Sequence, residues 1–430
     1  MGFQQGLSGL SAASTNLDVI GNNIANANTV GFKAGTAEFA DLFANSLGGG
    51  VSNGVGLGAR VSQVAQSFTE GNLQTTSNPL DTAINGDGFF VVNNAGSLSY
   101  SRDGQLQVNA NGYLVNSTGG EISGYTANAA GTITQGAATP IQINTANLAG
   151  SATTTASEIA NLDSSDTVPA TAVFNPTDAT SYNKSNSMTV YDSLGDPHTL
   201  TTYYQLQPPA TVGGPTNTWN VYATMDGTPV TVNGGVSITN AAGATVTNAA
   251  MQVQFNSSGT IQTTTPTPLP AALSAVLSNG ATTPFNINFS LTGSTAEGTA
   301  YSFGTQTQNG YAPGTLTSFA IGSDGTINGS YSNGQTKALG QVVLASFTDP
   351  NGLQPTGNNA WLQTSASGQP VIGTAGSGNL GTLDSSTLEA SNVDLTSSLV
   401  NMISAQRVYQ ANAETIKAQD TIMQTITSLF

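Results

Sequence analysis

Residues 1–33 read MGFQQGLSGLSAASTNLDVIGNNIANANTVGFK, and the fold turns on them. Phe3, Leu7, Leu10, Leu17 and Ile24 fall on one heptad seam, with Ser14 and Gly21 at its small positions and Ala13, Ile20 and Ala27 alongside. That is the a/d pattern of a helix built to lie against another helix. The C-terminal end carries the answering stripe: Leu395, Leu399, Met402, Tyr409, Ala413 and Ile416 follow helical spacing, and Met423, Ile426 and Phe430 continue it after a one-step slip. Ile20, Ile403, Val408, Ile422 and Leu429 lie off these seams. Two lone helices cannot cover all of that apolar surface, which points to self-assembly with neighbouring copies.

Between the ends the period changes from helical to two, and turns carry Gly and Asn. The predicted fold class is multidomain α+β. Coiled-coil-like N- and C-terminal helices pair as an inner core, and two mainly antiparallel β domains are nested between them. The expected boundaries are 1–33 with 388–430 for the helical core, 34–70 and 375–387 for connecting linkers, 71–150 with 305–374 for an inner β domain, and 151–304 for an outer one. Within 34–70, Phe39, Leu42, Phe43 and Leu47 have helical spacing for about two turns before the glycines begin. The C-terminal helix should run from Leu395 for roughly 34 residues, about 50 Å at 1.5 Å per residue. Ser391 with Asp394 fits a capping spacing at its start.

Composition narrows the function. The net charge is −16, and only 7 Lys and Arg residues serve 430 positions. No basic face for nucleic acid can be assembled from so few. Residues 1–33 are neutral, with Asp18 against Lys33, and residues 391–430 are nearly so; the acid lies in the middle. Near-neutral helices can crowd together while the acidic domains stay solvated. There are no cysteines, so disulfides and thiolate metal sites are excluded. No apolar run is long enough to span a membrane as a helix, and no secretory signal peptide is visible.

Chemistry is sparse. The single histidine, His198, has Asp192 and Ser193 nearby, yet it shares strand parity with Leu200, Thr202, Tyr204 and Leu206 and reads as a sheet-face residue rather than a catalytic base. Asn85–Gly86–Asp87–Gly88 resembles the start of a calcium loop, but position twelve is Gly96 where a bidentate Glu is required. Gly56–Arg60 lacks nucleotide-loop spacing. The expectation is no enzyme, no cofactor and no metal. A different reading, a secreted β adhesin on a coiled-coil stalk, would use Trp219, Tyr203 and Tyr204 as a sugar platform.

The two ends resemble the flagellar rod, hook and hook-associated axial protein family, and its hook branch most closely. At the N-terminus the resemblance rests on Ser11–Asn26, including Asn22, Asn23, Ile24, Ala25 and Asn26, followed by Thr29–Val30–Gly31–Phe32–Lys33. At the C-terminus it rests on Leu388–Leu395, Leu399–Ile403 and Gln406–Gln410. Gly88–Phe90 with Tyr100–Gly104 resembles the family's shared β domain, Thr189–His198 resembles the hook's outer domain, and 340–345 with 373–378 resemble the return through the inner one.

The resemblance implies a structural subunit of the bacterial flagellar hook, with a distal rod or hook-associated protein as the alternative. It implies a homopolymer built on the terminal helices, a flexible curved tube passing torque from rod to filament. It also implies contacts with distal rod, hook cap and hook–filament junction proteins. Export would run through the flagellar type III apparatus to an extracellular location without a cleaved signal, with no membrane insertion. The residues expected to carry polymerisation are Leu7, Leu10, Leu17, Ile20, Ile24, Leu395, Leu399, Met402, Ile403, Tyr409, Ile416, Met423 and Ile426. The Asn22–Lys33 turn and the Gly-rich linkers read as flexible joints.

Overall fold

The structure is a computed structural model that describes residues 2–42, 56–209, 217–239 and 245–428. Two helices bracket a chain of strands. Helix α1 spans Gly2–Ala25 and helix α2 spans Leu395–Ser428. Asp394 caps α2, its Oδ1 accepting from Thr396 N at 2.8 Å and Ser397 N at 3.1 Å. Ser391, expected to share the capping, only accepts from Val393 N.

The stretch after α1 departs from expectation. Gly35–Leu42 is a strand (β1), paired antiparallel with Gly58–Gln66 (β2), with a bulge between Glu38 and Phe39. Phe39 and Leu42 are therefore strand residues; Phe43 and Leu47 lie outside the described residues. The hairpin packs along α1. Asn23 bonds both backbone groups of Gly35, donating to its carbonyl at 2.7 Å and accepting from its N–H at 2.9 Å. Far from being only a connector, this segment forms a third layer beside the helices.

The chain divides into two units. The first holds Met1–Thr145, Thr317–Ser330 and Thr336–Phe430; the second holds Ala146–Leu316 and Tyr331–Gln335. The expected return boundary at 305 falls inside a strand, Ser302–Gln308, which pairs with Thr155–Asp163 in the second unit. The Thr- and Ser-rich stretch that begins the expected outer domain at 151 supplies that partner strand.

In the first unit the long strand Thr336–Ser346 organises the sheet, pairing with Glu121–Thr126, Phe89–Asn94 and Val371–Thr374. Its Gly340–Ala345 run is buried, and apolar apart from Gln341, because neighbours cover both sides. Phe89, Tyr100, Phe347, Trp361 and Phe68 meet edge to face at 4.7–5.9 Å. Ala95 and Gly96, both at positive φ, close the hairpin from Phe89–Asn94 to Ser97–Ser101. Entry and exit strands run side by side: Leu73–Thr75 pairs with Thr387–Glu389, and Thr82–Asn85 with Thr382–Ser385.

The second unit has two sheets around one core. Lys184–Tyr191, Pro197–Leu206, Thr218–Met225 and Thr245–Phe255 form one sheet; Thr155–Asp163, Ala271–Ala275 and Phe285–Ser290 belong to the other. Side chains from both fill the space between, among them Val190, Leu200, Trp219, Met251, Leu273 and Phe289.

Candidate assembly surface and its anchoring cluster

Helices α1 and α2 meet through small residues rather than through the leucine seam. A Cβ added at Gly6 would stand 3.0 Å from Ile416 Cγ1, and one at Gly9 would stand 2.8 Å from Asn412 Oδ1. The helices therefore run antiparallel, with backbones close where glycine permits it. Ala12, Ala13 and Ile20 are buried on the same side.

The large apolar residues of the seam are left half-covered or open in the single chain. Leu10, Leu17, Ile24, Met402 and Ile416 are half-buried. Leu7, Leu395, Leu399, Ile403, Tyr409 and Met423 are exposed, as are Phe3, Val400, Val408 and Ile422. Ile20, expected to lie uncovered off the seam, is buried within the chain. The side chain of Ile426, like Leu429 and Phe430, lies outside the described residues. A monomer that leaves this many large apolar side chains in water on one helix pair presents an interaction surface.

The turn after α1 is pinned rather than loose. Asn26 bonds the side chain of Asn22 at 2.6 Å, and Ala25 faces solvent. Gly31 takes φ +69°, and a Cβ there would stand 2.8 Å from the Arg102 carbonyl. Its N–H donates to Glu389 O at 2.8 Å, and Asn359 donates to Val30 O at 2.7 Å. Phe32 is half-buried. Asn392, just before α2, accepts from Ala34 N at 2.8 Å and donates to Ser67 O at 2.8 Å.

Lys33 lies at the centre, its side chain 1% exposed. Its Nζ donates to Glu389 Oε1 at 2.6 Å and to Thr69 O at 2.7 Å. Gly71 N donates to the same Oε1 at 2.8 Å, and Arg102 Nη1 reaches Oε2 at 3.4 Å. Arg102 sits 5.3 Å from the centre of the Phe89 ring, and its Nε has no hydrogen-bond partner among the described residues. Burial pushes both the Lys33 and Arg102 cations down from their ordinary values, and the Glu389 carboxylate opposes this in each case. Two buried cations thus lean on one buried carboxylate. Sequence reading had marked Lys33 and Glu389 only as separate motif members; nothing local pairs residues so far apart.

In the second unit, His198 is not arranged for catalysis. Its Nδ1 lies 2.6 Å from Asp226 Oδ2 and its Nε2 3.2 Å from Asp192 Oδ2, so both ring nitrogens are engaged by carboxylates. Ser193 Oγ instead accepts from Thr282 N at 2.8 Å. Burial alone would raise Asp192, but hydrogen bonds from Asn279, His198 and the N–H groups of Asp196 and Leu194 bring it down to about 2. Burial works against the His198 imidazolium, yet Asp226 and Asp192 outweigh it and raise the ring above its ordinary value. The sugar platform is not built either. Trp219 and Tyr204 are buried in the core, and Tyr203 packs on Phe174 and Tyr182.

The sequence matches four family descriptions in chain order. These are a flagellar basal body rod protein over residues 3–33, the flagellar hook protein FlgE/F/G D1 domain over 83–159, the flagellar basal body protein FlaE D2 domain over 161–311, and the flagellar basal body rod FlgEFG C-terminal segment over 384–429. The chain is 43% identical to the flagellar hook protein FlgE of Escherichia coli (strain K12) over 436 residues, covering all of both chains. It is 45% identical to that of Salmonella typhimurium, again over both full lengths. The hook protein of Treponema pallidum is 33% identical, with 99% of this chain and 98% of the relative covered. Among solved structures, the crystal structure of a Helicobacter pylori flagellar hook protein aligns with a TM-score of 0.51 at 15% identity. That alignment covers 74% of this chain and all of the other, a likeness of fold.

Proposed function

The chain belongs to the flagellar hook protein family and is a structural subunit of the bacterial flagellar hook, not an enzyme; from that premise we propose that it polymerises through the uncovered faces of α1 and α2. The observation that carries this reading is the row of exposed large apolar side chains, Leu7, Leu395, Leu399, Ile403 and Met423, on a helix pair already closed through Gly6 and Gly9. Burying such a row against neighbouring copies releases about 25 cal/mol for each Å² of apolar surface, repeated at every subunit. Leu10, Leu17, Ile20, Ile24, Met402, Tyr409, Ile416 and Ile426 complete the proposed core, and the motif Asn22–Lys33 fixes its angle to the β unit.

The resulting polymer is a curved tube that passes torque from rod to filament. Its partners are further copies of itself, the distal rod, the hook cap, the hook–filament junction proteins and the type III export apparatus, and it works outside the cell. Ile24→Asp and Met402→Asp test the reading by placing a carboxylate in the helical core. Each should abolish tube formation seen by electron microscopy while the β units melt as in the wild type. Normal tubes from either variant would refute it.

A further inference from the structure

The helix pair is unequal, and its two ends differ. Ile416 lies beside Gly6 and Asn412 beside Gly9, so α2 passes the first turn of α1 near Asp420. Thr421–Ser428 then continues for about 12 Å with no part of α1 beside it. This tip carries no charge, and Ile422 and Met423 on it are 54% and 61% exposed. Toward the other end, α1, α2 and the β1–β2 hairpin enclose a groove of about 450 Å³. Its walls include Ala13, Ile20, Ala37, Phe39, Ala405 and Val408, and none of its lining residues is charged.

We propose that the α2 tip of one copy seats in this groove of the next. The proposal rests on helix-mediated assembly and supplies its axial contact. Three observations choose a second copy as the occupant. Tip and groove are both uncharged in a chain of net charge −16, so neither meets a like charge when two copies approach. The tip protrudes with Ile422 and Met423 exposed, and the groove is a recess that offers Ile20, Phe39 and Val408 among uncharged polar side chains, so each covers apolar surface that the other leaves wet. They lie toward opposite ends of one rigid pair, so a copy cannot satisfy its own groove with its own tip. The contact is head-to-tail, so it repeats from copy to copy rather than ending at a dimer, and gives an open helical filament where its rotation does not close a ring.

The absence of cysteine makes the test clean. Val408→Cys lies in the groove and Met423→Cys on the tip. Polymers of the double variant, mildly oxidised and run on a denaturing gel, should give a ladder extending beyond dimer. Mixed polymers of the two single variants should give dimers, and each single variant alone should give monomers. A polymerised double variant that runs as monomer overturns the proposal, as does dimer formation by Met423→Cys alone. Ser404→Trp provides the second arm, because Ser404 is exposed and lines the groove without joining the helix pair. Its monomer should keep wild-type circular dichroism while polymer growth slows at least tenfold; growth at the wild-type rate overturns the contact. A polymer that still depends on Ile24 and Met402, yet fails these tests, would keep helix-mediated assembly and remove only the tip-in-groove contact.

Discussion

Removing the Glu389 carboxylate should be among the most damaging single changes in the first unit. In Glu389→Ala, Lys33 keeps only the Thr69 carbonyl, at 2.7 Å, and Gly71 N loses its acceptor. Arg102 keeps the face of Phe89, 5.3 Å away, and the longer-range attraction of Asp87 and Glu70. Breaking a buried pair on one side costs about 3–5 kcal/mol, because an uncompensated charge stays behind. Here two cations are stranded by one deletion, while the Thr69 bond offsets part of the loss, so the middle of that range applies. A unit of ordinary stability, roughly 5–15 kcal/mol, survives this but is visibly weakened. Trp361 meets Phe68 and Phe89 edge to face within this unit, and its fluorescence in a Trp219→Phe background isolates the unit from the other. With a urea slope of roughly 2 kcal/mol/M, the midpoint should fall by about 1.5–2.5 M. A fall of less than about 0.3 M would show that the cluster is not the anchor its geometry describes. Lys33→Met with Glu389→Leu should recover part of the loss, since only Arg102 then stays unpaired.

Gly31→Ala should destabilise the same unit by at least about 2 kcal/mol in urea melts, because φ +69° and the Arg102 carbonyl 2.8 Å from the new Cβ act together. Asp394→Ala should cost about 1 kcal/mol and speed amide exchange at Thr396 and Ser397, whose N–H groups lose their acceptor. For the His198 cluster the signs differ by group. The raised histidine contributes fully below its unfolded value near 6.5 and loses that contribution as pH rises through the higher folded value. The lowered carboxylates of Asp192 and Asp226 contribute above about 3.8 and lose it as pH falls through their lower folded values, about 2 for Asp192. Thermal melts of the second unit, followed at Trp219, should therefore be best between about pH 4 and 6.5. His198→Asn should lack the decline on the alkaline side, and identical slopes between pH 6 and 8 would refute the assignment.

Much of this architecture was legible because β structure announces itself locally. Asp226–Gly227, at positive φ in sequence, closes the turn after Thr218–Met225, as the Asp-Gly dipeptide implies. Strand parity placed His198 beside buried Leu200 and Tyr204. The β1–β2 hairpin was missed because Phe39 and Leu42 suit a helical spacing as well as a strand, and the glycines that follow read as a linker. The helix contact was misread for another reason. Heptad reasoning seeks large side chains, whereas Gly6 and Gly9 make the contact by having none, which leaves the leucines for other partners. The domain return at 316 was hidden because Ser302–Gln308 is polar and thinly buried, with little in it to distinguish outer from inner.

The Lys33–Glu389 bond also orders events in time. Its partners are 356 residues apart in sequence, and the whole second unit lies between them in the chain. As a chain emerges from one end, Lys33 and Arg102 are present long before the carboxylate that bonds both, and burying two such cations without it is too costly to happen early. The second unit is continuous from Ala146 to Leu316, adds only Tyr331–Gln335 from farther along, and needs nothing from the C-terminus to fill its core. A nascent chain halted near residue 380 would therefore hold a finished second unit while the first is still unlatched. The last fifty residues deliver the strand, the counter-charge and the second helix together, so the first unit and its adhesive surface mature in one step, at the end.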